Sequence, residues 1–180
     1  MAQRANEDVN LFISAIARYF PDNTSELLII LAACCNLLIR GLSQPICLLL
    51  LGRAGSGKTS LLELIKDIQI HDDKLVIWQD DLTPARLVSG NPNVDPDDML
   101  VNKLDRHVLA VAELAPISQN QQSKRLWGYL VRLLDGHSLI RGVSGGDVGN
   151  TSSMRWIMLA AIVKISQKMN EDMQNMGPRT

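Results

Sequence analysis

The stretch "CLLLLGRAGSGKTS", Cys47 to Ser60, decides how the rest of the chain reads. The leucines from Leu48 to Leu51 run without a polar break into a turn that holds Gly52, Gly55 and Gly57 and ends in Lys58 and Thr59. Continuous apolar character without alternation predicts a strand covered on both faces. The turn fits G-x-x-x-x-G-K-[ST] at every position, a pattern whose chemistry is phosphate binding. Consecutive backbone N–H groups must converge on the anion, and side chains would block that approach. Gly55 and Gly57 allow the backbone angles this needs. A helix beginning near Gly57 would add the positive end of its dipole. Lys58 supplies a mobile charge for the outer phosphates, and the Thr59 hydroxyl suits Mg²⁺. The expected nucleotide-binding set is Gly52, Arg53, Ala54, Gly55, Ser56, Gly57, Lys58, Thr59 and Ser60. An ordinary glycine-rich turn would leave Lys58 followed by Thr59 unexplained.

Around this motif the chain is unremarkable in bulk. Its 180 residues suffice for one well-packed domain and are short for two. The hydrophobic fraction is 46% but only 4% is aromatic, so the core is expected to be aliphatic. A net charge of −1 gives no support for binding nucleic acid. Cys34, Cys35 and Cys47 lie in apolar runs with no metal-site spacing, and read as buried thiols of a reducing, cytoplasmic compartment. The run Leu27 to Ile39 falls short of the roughly 18 apolar residues of a membrane span, and Asn36 interrupts it. The N-terminus lacks the apolar segment of a signal peptide.

Along the chain, Asn10 to Phe20 shows helical spacing of Leu11, Ile13, Ile16 and Phe20, and Glu26 to Arg40 reads as a buried helix. Pro45 opens the first strand. "SLLELIKDI" reads as an amphipathic helix, Lys74 to Asp81 as a strand, and "VDPDDMLVNKLDR" as a helix capped by Asp95 with Pro96 at its first position. His107 to Ala115 reads as a buried strand. "SKRLWGYLVRLLDG" reads as a helix with Leu126, Leu130, Leu133 and Leu134 on one side, stopped by Gly136. A short strand, the small-sided loop "GVSGGDVGNTSS", a strand from Arg155 to Ile162 and a last helix follow. The loop is small-sided enough for a pore or substrate loop but has no basic or aromatic residue for bases, and a plain hairpin connection is the better reading. Alternating strands and helices predict an α/β fold of three layers, α-β-α, with a mostly parallel sheet and an N-terminal helical segment. Residues 1–44 would form helices packed on a core of residues 45–180.

Hydrolysis requires a carboxylate for the metal and a base for water. Two strand ends offer acids: Asp80 with Asp81, and Glu113. The metal carboxylate and the base usually sit at the end of a strand beside the loop strand. In ATPases whose sheet has an inserted strand, the magnesium strand comes one unit later, and Glu113 has that separation. Ala112 precedes Glu113, where the magnesium aspartate usually stands, so Asp80 and Asp81 remain alternatives for the metal.

These segments together resemble the AAA+ branch of P-loop NTPases, through "LLLLGRAGSGKTSLLELI", "LTPARLVSG", "AVAELAPI", "LVRLLDG" and "NMGPRT". The likeness runs towards AAA+-like ATPases of bacteria and phages and, distantly, MCM-type helicases. The resemblance implies ATP and Mg²⁺ as ligands, Glu113 as the catalytic glutamate acting with Lys58, and Arg179 as the finger a neighbouring subunit supplies to a ring. It puts a polar nucleotide sensor near the end of "RWIMLAAI", where Ile162 and Val163 stand, so the sensor is missing or moved to Lys164 or Ser166. It also implies a fifth strand and helical lid, for which these residues hold no counterpart.

Two functions follow. One is a Mg-dependent ATPase acting on DNA or a protein partner. The other is a nucleotide-dependent switch or scaffold with little turnover, favoured by Ala112 and the apolar sensor strand. A small-molecule kinase with Asp80 and Asp81 at its acceptor site is a third.

Overall fold

The computed structural model describes residues 2–39, 41, 44–70, 72–91, 93–114, 121–143, 146–150 and 154–163. Two helices open the chain, α1 (Ala2–Tyr19) and α2 (Thr24–Asn36). Then come strand β1 (Ile46–Leu51), helix α3 (Lys58–Glu63), a small hairpin of β2 (Gln69–Ile70) and β3 (Asp73–Lys74), and strand β4 (Val76–Gln79). Helix α4 (Pro84–Leu87), β5 (Val108–Val111), α5 (Gln121–Leu134), a second hairpin of β6 (Leu139–Val143) and β7 (Gly146–Asn150), and β8 (Ile157–Ile162) complete the described elements.

β1, β8, β5 and β4 form one parallel sheet in that order. The chain therefore leaps from β1 to the far edge at β4 and returns through β5 to β8. Parallel crossovers are right-handed, so the outward leap and the return place their helices on opposite faces. The packing agrees. Leu61 and Leu62 of α3 join Val108, Ala110, Ile157, Leu159 and Ala161 on one face, together with Ile16 of α1 and Leu27, Ile30 and Cys34 of α2. Leu87 of α4 and Leu126, Leu130 and Leu133 of α5 join Leu109, Val111, Trp156, Met158, Ala160 and Ile162 on the other. The alternation along β5 and β8 is the period of two of a strand. Both are fully buried because they lie at the centre of the sheet. The result is the three-layer α/β architecture of P-loop NTPases.

Several expectations need correction. β1 is an edge strand, pairing only with β8 among the described strands, and Cys47 and Leu51 are exposed rather than covered. Its apolar run suggests burial because helix packing covers part of it, while among the described residues no strand pairs with its other edge. Cys34 is buried, but Cys35 and Cys47 are exposed. Leu11 of α1 is 72% exposed although Ile16 is buried. Residues 96–103 form two 3-10 turns, Pro96–Asp98 and Leu100–Lys103, not one helix. The Asp95 carboxylate still caps the first, accepting from the Asp97 N–H at 2.9 Å. Half of the small-sided loop is β7, where Gly149 has φ +131° and an added Cβ would strike the Leu139 carbonyl of β6. Gly136, at φ +75°, ends α5 as expected, with its N–H and that of His137 bonded back to Leu133 and Arg132. The last helix, Lys164, Ser166 and Arg179 lie outside the described residues.

Candidate nucleotide site

The loop between β1 and α3 begins where β1 ends. The Gly52 N–H donates to the Ile162 carbonyl at 3.2 Å, which ties the loop's first residue to the end of β8. Gly55 and Gly57 have φ of +77° and +81°, a region that an L side chain adopts only with strain. At Gly52 the constraint is different: a Cβ there would sit 2.7 Å from the Ser56 hydroxyl oxygen, which would have to turn away. Gly55 and Gly57 thus supply the backbone turn through their positive φ, and an added Cβ at either would point into open space.

Lys58 closes the turn. Its ammonium donates to the carbonyls of Gly52 at 2.8 Å and Arg53 at 2.7 Å, and to the Ser56 hydroxyl at 3.3 Å. Its positive charge therefore sits inside the curve of the loop, where the pattern puts phosphate. Arg53, Ala54, Gly55, Ser56, Thr59 and Ser60 are exposed on the loop and its first helical turn. α3 is only 6 residues long, so its dipole adds less than a full-length helix would.

Thr59 settles which acidic strand end lies beside the loop. Its hydroxyl donates to the Ala112 carbonyl at 3.4 Å, across β8 to the end of β5. Ala112 and Leu114 are held in turn, their N–H groups bonded to Gln79 at 2.9 Å and Ala161 at 2.8 Å. Glu113 stands between those two anchors, exposed at the C-terminal edge of the sheet. β8 is the inserted strand, so neither acidic candidate is on a strand beside β1, contrary to the simplest expectation. Asp80 and Asp81 follow β4, three strand spacings or about 14 Å from β1. One Asp80 oxygen accepts from the Trp78 indole at 2.8 Å, and Lys66 lies 4.7 Å over the Trp78 ring. The geometry brings Thr59 to Ala112, the residue before Glu113, and leaves Asp80 and Asp81 at the far edge of the sheet. Arg179 lies outside the described residues.

A groove of about 490 Å³ runs from Gly52, Ser56 and Lys58 along β1 to Asn23 and Glu26 at the start of α2. Consecutive residues Leu48 to Leu51 all line it, which is possible only along a strand's edge, because alternate side chains face opposite ways. One contributor escapes sequence reading: the Ala112 carbonyl, which bonds Thr59 through a group that every residue possesses. Among the described residues, no three His, Cys, Asp or Glu side chains gather to hold a metal, and no helix is long and apolar enough to cross a membrane. The donors beside the loop are a hydroxyl and one carboxylate. That set suits a cation which keeps phosphate oxygens and water as its other ligands, as Mg²⁺ does.

No family model matches the chain, and no curated protein does. Among solved structures it is similar to the S. cerevisiae Hsp104–ADP complex, with 16% sequence identity and a TM-score of 0.43. The match covers 94% of this chain and 33% of that one, so the chain spans about a third of its length. The α/β class stands on the sheet order and layers described above.

Proposed function

We propose that this chain binds ATP through the loop Gly52–Ser60 and hydrolyses it with Mg²⁺. The observation that carries the reading is the Lys58 ammonium held inside a turn that Gly55 and Gly57 make through their positive φ, with Thr59 at its rim bonded to the end of β5. On phosphate binding, Lys58 would exchange the Gly52 and Arg53 carbonyls for phosphate oxygens, and the loop N–H groups would take the remaining charge. The nucleoside would extend into the groove along β1. Bound Mg²⁺ would offset charge on the outer phosphates, and the Thr59 hydroxyl is placed to be one of its ligands. Glu113, next to Ala112 at the end of β5, would take a proton from water as the water oxygen bonds to the outer phosphorus and the bond to the ADP oxygen breaks.

Assembly into an AAA+-type ring, with Arg179 reaching a neighbour's site, rests on the sequence resemblance, as do the division into residues 1–44 and 45–180 and any role in DNA metabolism. A second reading, a nucleotide switch with little turnover, is favoured by one observation: the group that faces Thr59 is the Ala112 carbonyl and not a carboxylate. ATP turnover measured beside binding of a nonhydrolysable analogue tests both. Binding with turnover supports the enzyme, binding alone supports the switch, and no binding refutes both.

A further inference from the structure

The phosphate loop occupies the C-terminal ends of the strands. The opposite end of the sheet carries a second arrangement of charge. Val76, Val108 and Ile157 begin β4, β5 and β8 in register. Two residues before each of them stands a cation: Lys74, Arg106 and Arg155. The register continues back to that level, since the Val108 N–H donates to Leu75 at 2.9 Å, Ile157 to His107 at 3.1 Å, and Arg106 to Arg155 at 2.7 Å. Neighbouring strands lie about 4.8 Å apart, so the three residues form a basic row across adjacent strands.

This row opens on a cavity of about 900 Å³, lined by the three cations with His107, Asp73 and Asp105, and walled on its apolar side by residues such as Leu37 and Leu75. The Asp105 carboxylate is engaged by the backbone, accepting from the Arg155 N–H at 3.0 Å. Arg155 is anchored in the wall through Nη1, which donates to the Ile39 carbonyl at 2.6 Å. Among the described residues neither Lys74 nor Arg106 is ion-paired. Arg106 is held at φ +58°, a left-handed conformation that is strained for a residue with a side chain.

We infer that this cavity binds a small anion carrying two or more phosphate groups, at a site separate from the phosphate loop and about 20 Å from it along the six residues of β8. A row of cations matches a row of phosphates better than a single charge. The fork of Arg106 fits phosphate oxygens in pairs, and Lys74 adds a point charge. Among the described residues the lining has no Phe, Tyr or Trp on which the bases of a nucleic acid strand could stack. Asp73 sets a threshold against weakly charged anions.

Titration of the full chain with inorganic pyrophosphate, followed through its backbone amide resonances, tests the inference. Saturable shifts are expected at residues 73–75, 105–107 and 155–156, independent of any at the loop. Replacing both cations, Lys74→Gln with Arg106→Gln, should weaken that response by about tenfold or more, the scale of losing charge-assisted hydrogen bonds. Asp73→Asn, which removes an opposing charge, should tighten it. Shifts confined to residues 52–60, or equal affinity in parent and double variant, would overturn the inference. So would a single-stranded oligonucleotide that shifts the same amides where pyrophosphate does not.

Discussion

The Thr59 hydroxyl lies 3.4 Å from the backbone carbonyl of Ala112, and that contact links the phosphate loop to a strand two places away in the sheet. It is a long hydrogen bond, and a carbonyl is a poor substitute for a carboxylate beside a divalent cation. Ala112→Asp would bring the missing charge to this position. The account predicts higher Mg-dependent ATP turnover in the variant, measured by phosphate release at fixed nucleotide. No gain from a folded variant would show that the site does not lack a metal carboxylate.

Glu113 is pinned on both sides, by the Ala112 N–H to Gln79 and the Leu114 N–H to Ala161, so its exposed side chain has a defined origin. Glu113→Gln keeps its shape and removes its basicity. Turnover should fall by roughly a hundredfold or more, as when a general base is lost, with nucleotide affinity unchanged. If parent and variant turn over equally fast, Glu113 is not the base. If the parent is already inert while it binds nucleotide, the switch reading stands.

The sheet's order could not be read from the chain, but most of its contents could. β5 and β8 announce themselves because a central parallel strand must be apolar on both faces. β1 carries the same composition and is the edge of the described sheet, since apolar residues say that something covers the strand's faces but not what pairs with its backbone. The leucine face of α5 is legible because three buried residues repeat at helical spacing. Residues 96–103 mislead because capping signals mark where a turn starts, whereas continuation into a helix depends on packing, which here buries Leu100, Val101 and Leu104 through short 3-10 turns. Around the loop, the motif marks Gly52 to Thr59, but which strand end lies beside it depends on the bond from Thr59 to the Ala112 carbonyl, 53 residues apart in sequence.

Gly149 tests the second hairpin. With φ +131° and no room for a Cβ against the Leu139 carbonyl, Gly149→Ala must move the β6–β7 backbone. A loss of about 2–4 kcal/mol is expected, or a fall of roughly 5–10 °C in Tm by thermal unfolding. An unchanged Tm would mean that the hairpin does not pair as described.

Cys34 makes stability depend on alkaline pH. Burial, and next the neighbouring Cys35 thiol, push its pKa from 9.0 to about 11. The unfolded thiol ionises first, so the folded chain's advantage is complete below pH 9 and is lost as pH rises towards 11. The loss from this group is at most roughly 3 kcal/mol. Urea midpoints compared between pH 8 and 10.5 should fall more steeply for the parent than for Cys34→Ala. Parallel pH profiles would contradict this.

The most direct test of the central claim is the affinity of parent and Lys58→Ala for a nonhydrolysable ATP analogue and for ADP, measured by calorimetry with Mg²⁺ present. Lys58 is a loop residue whose ammonium contacts loop atoms, the Gly52 and Arg53 carbonyls and the Ser56 hydroxyl, so the fold should survive its loss. The account predicts that the parent binds both ligands, and that the variant loses about tenfold or more for the triphosphate analogue and less for ADP, because the ammonium serves the outer phosphates. Equal affinity of parent and variant for the triphosphate analogue, or no binding by the parent, would contradict it.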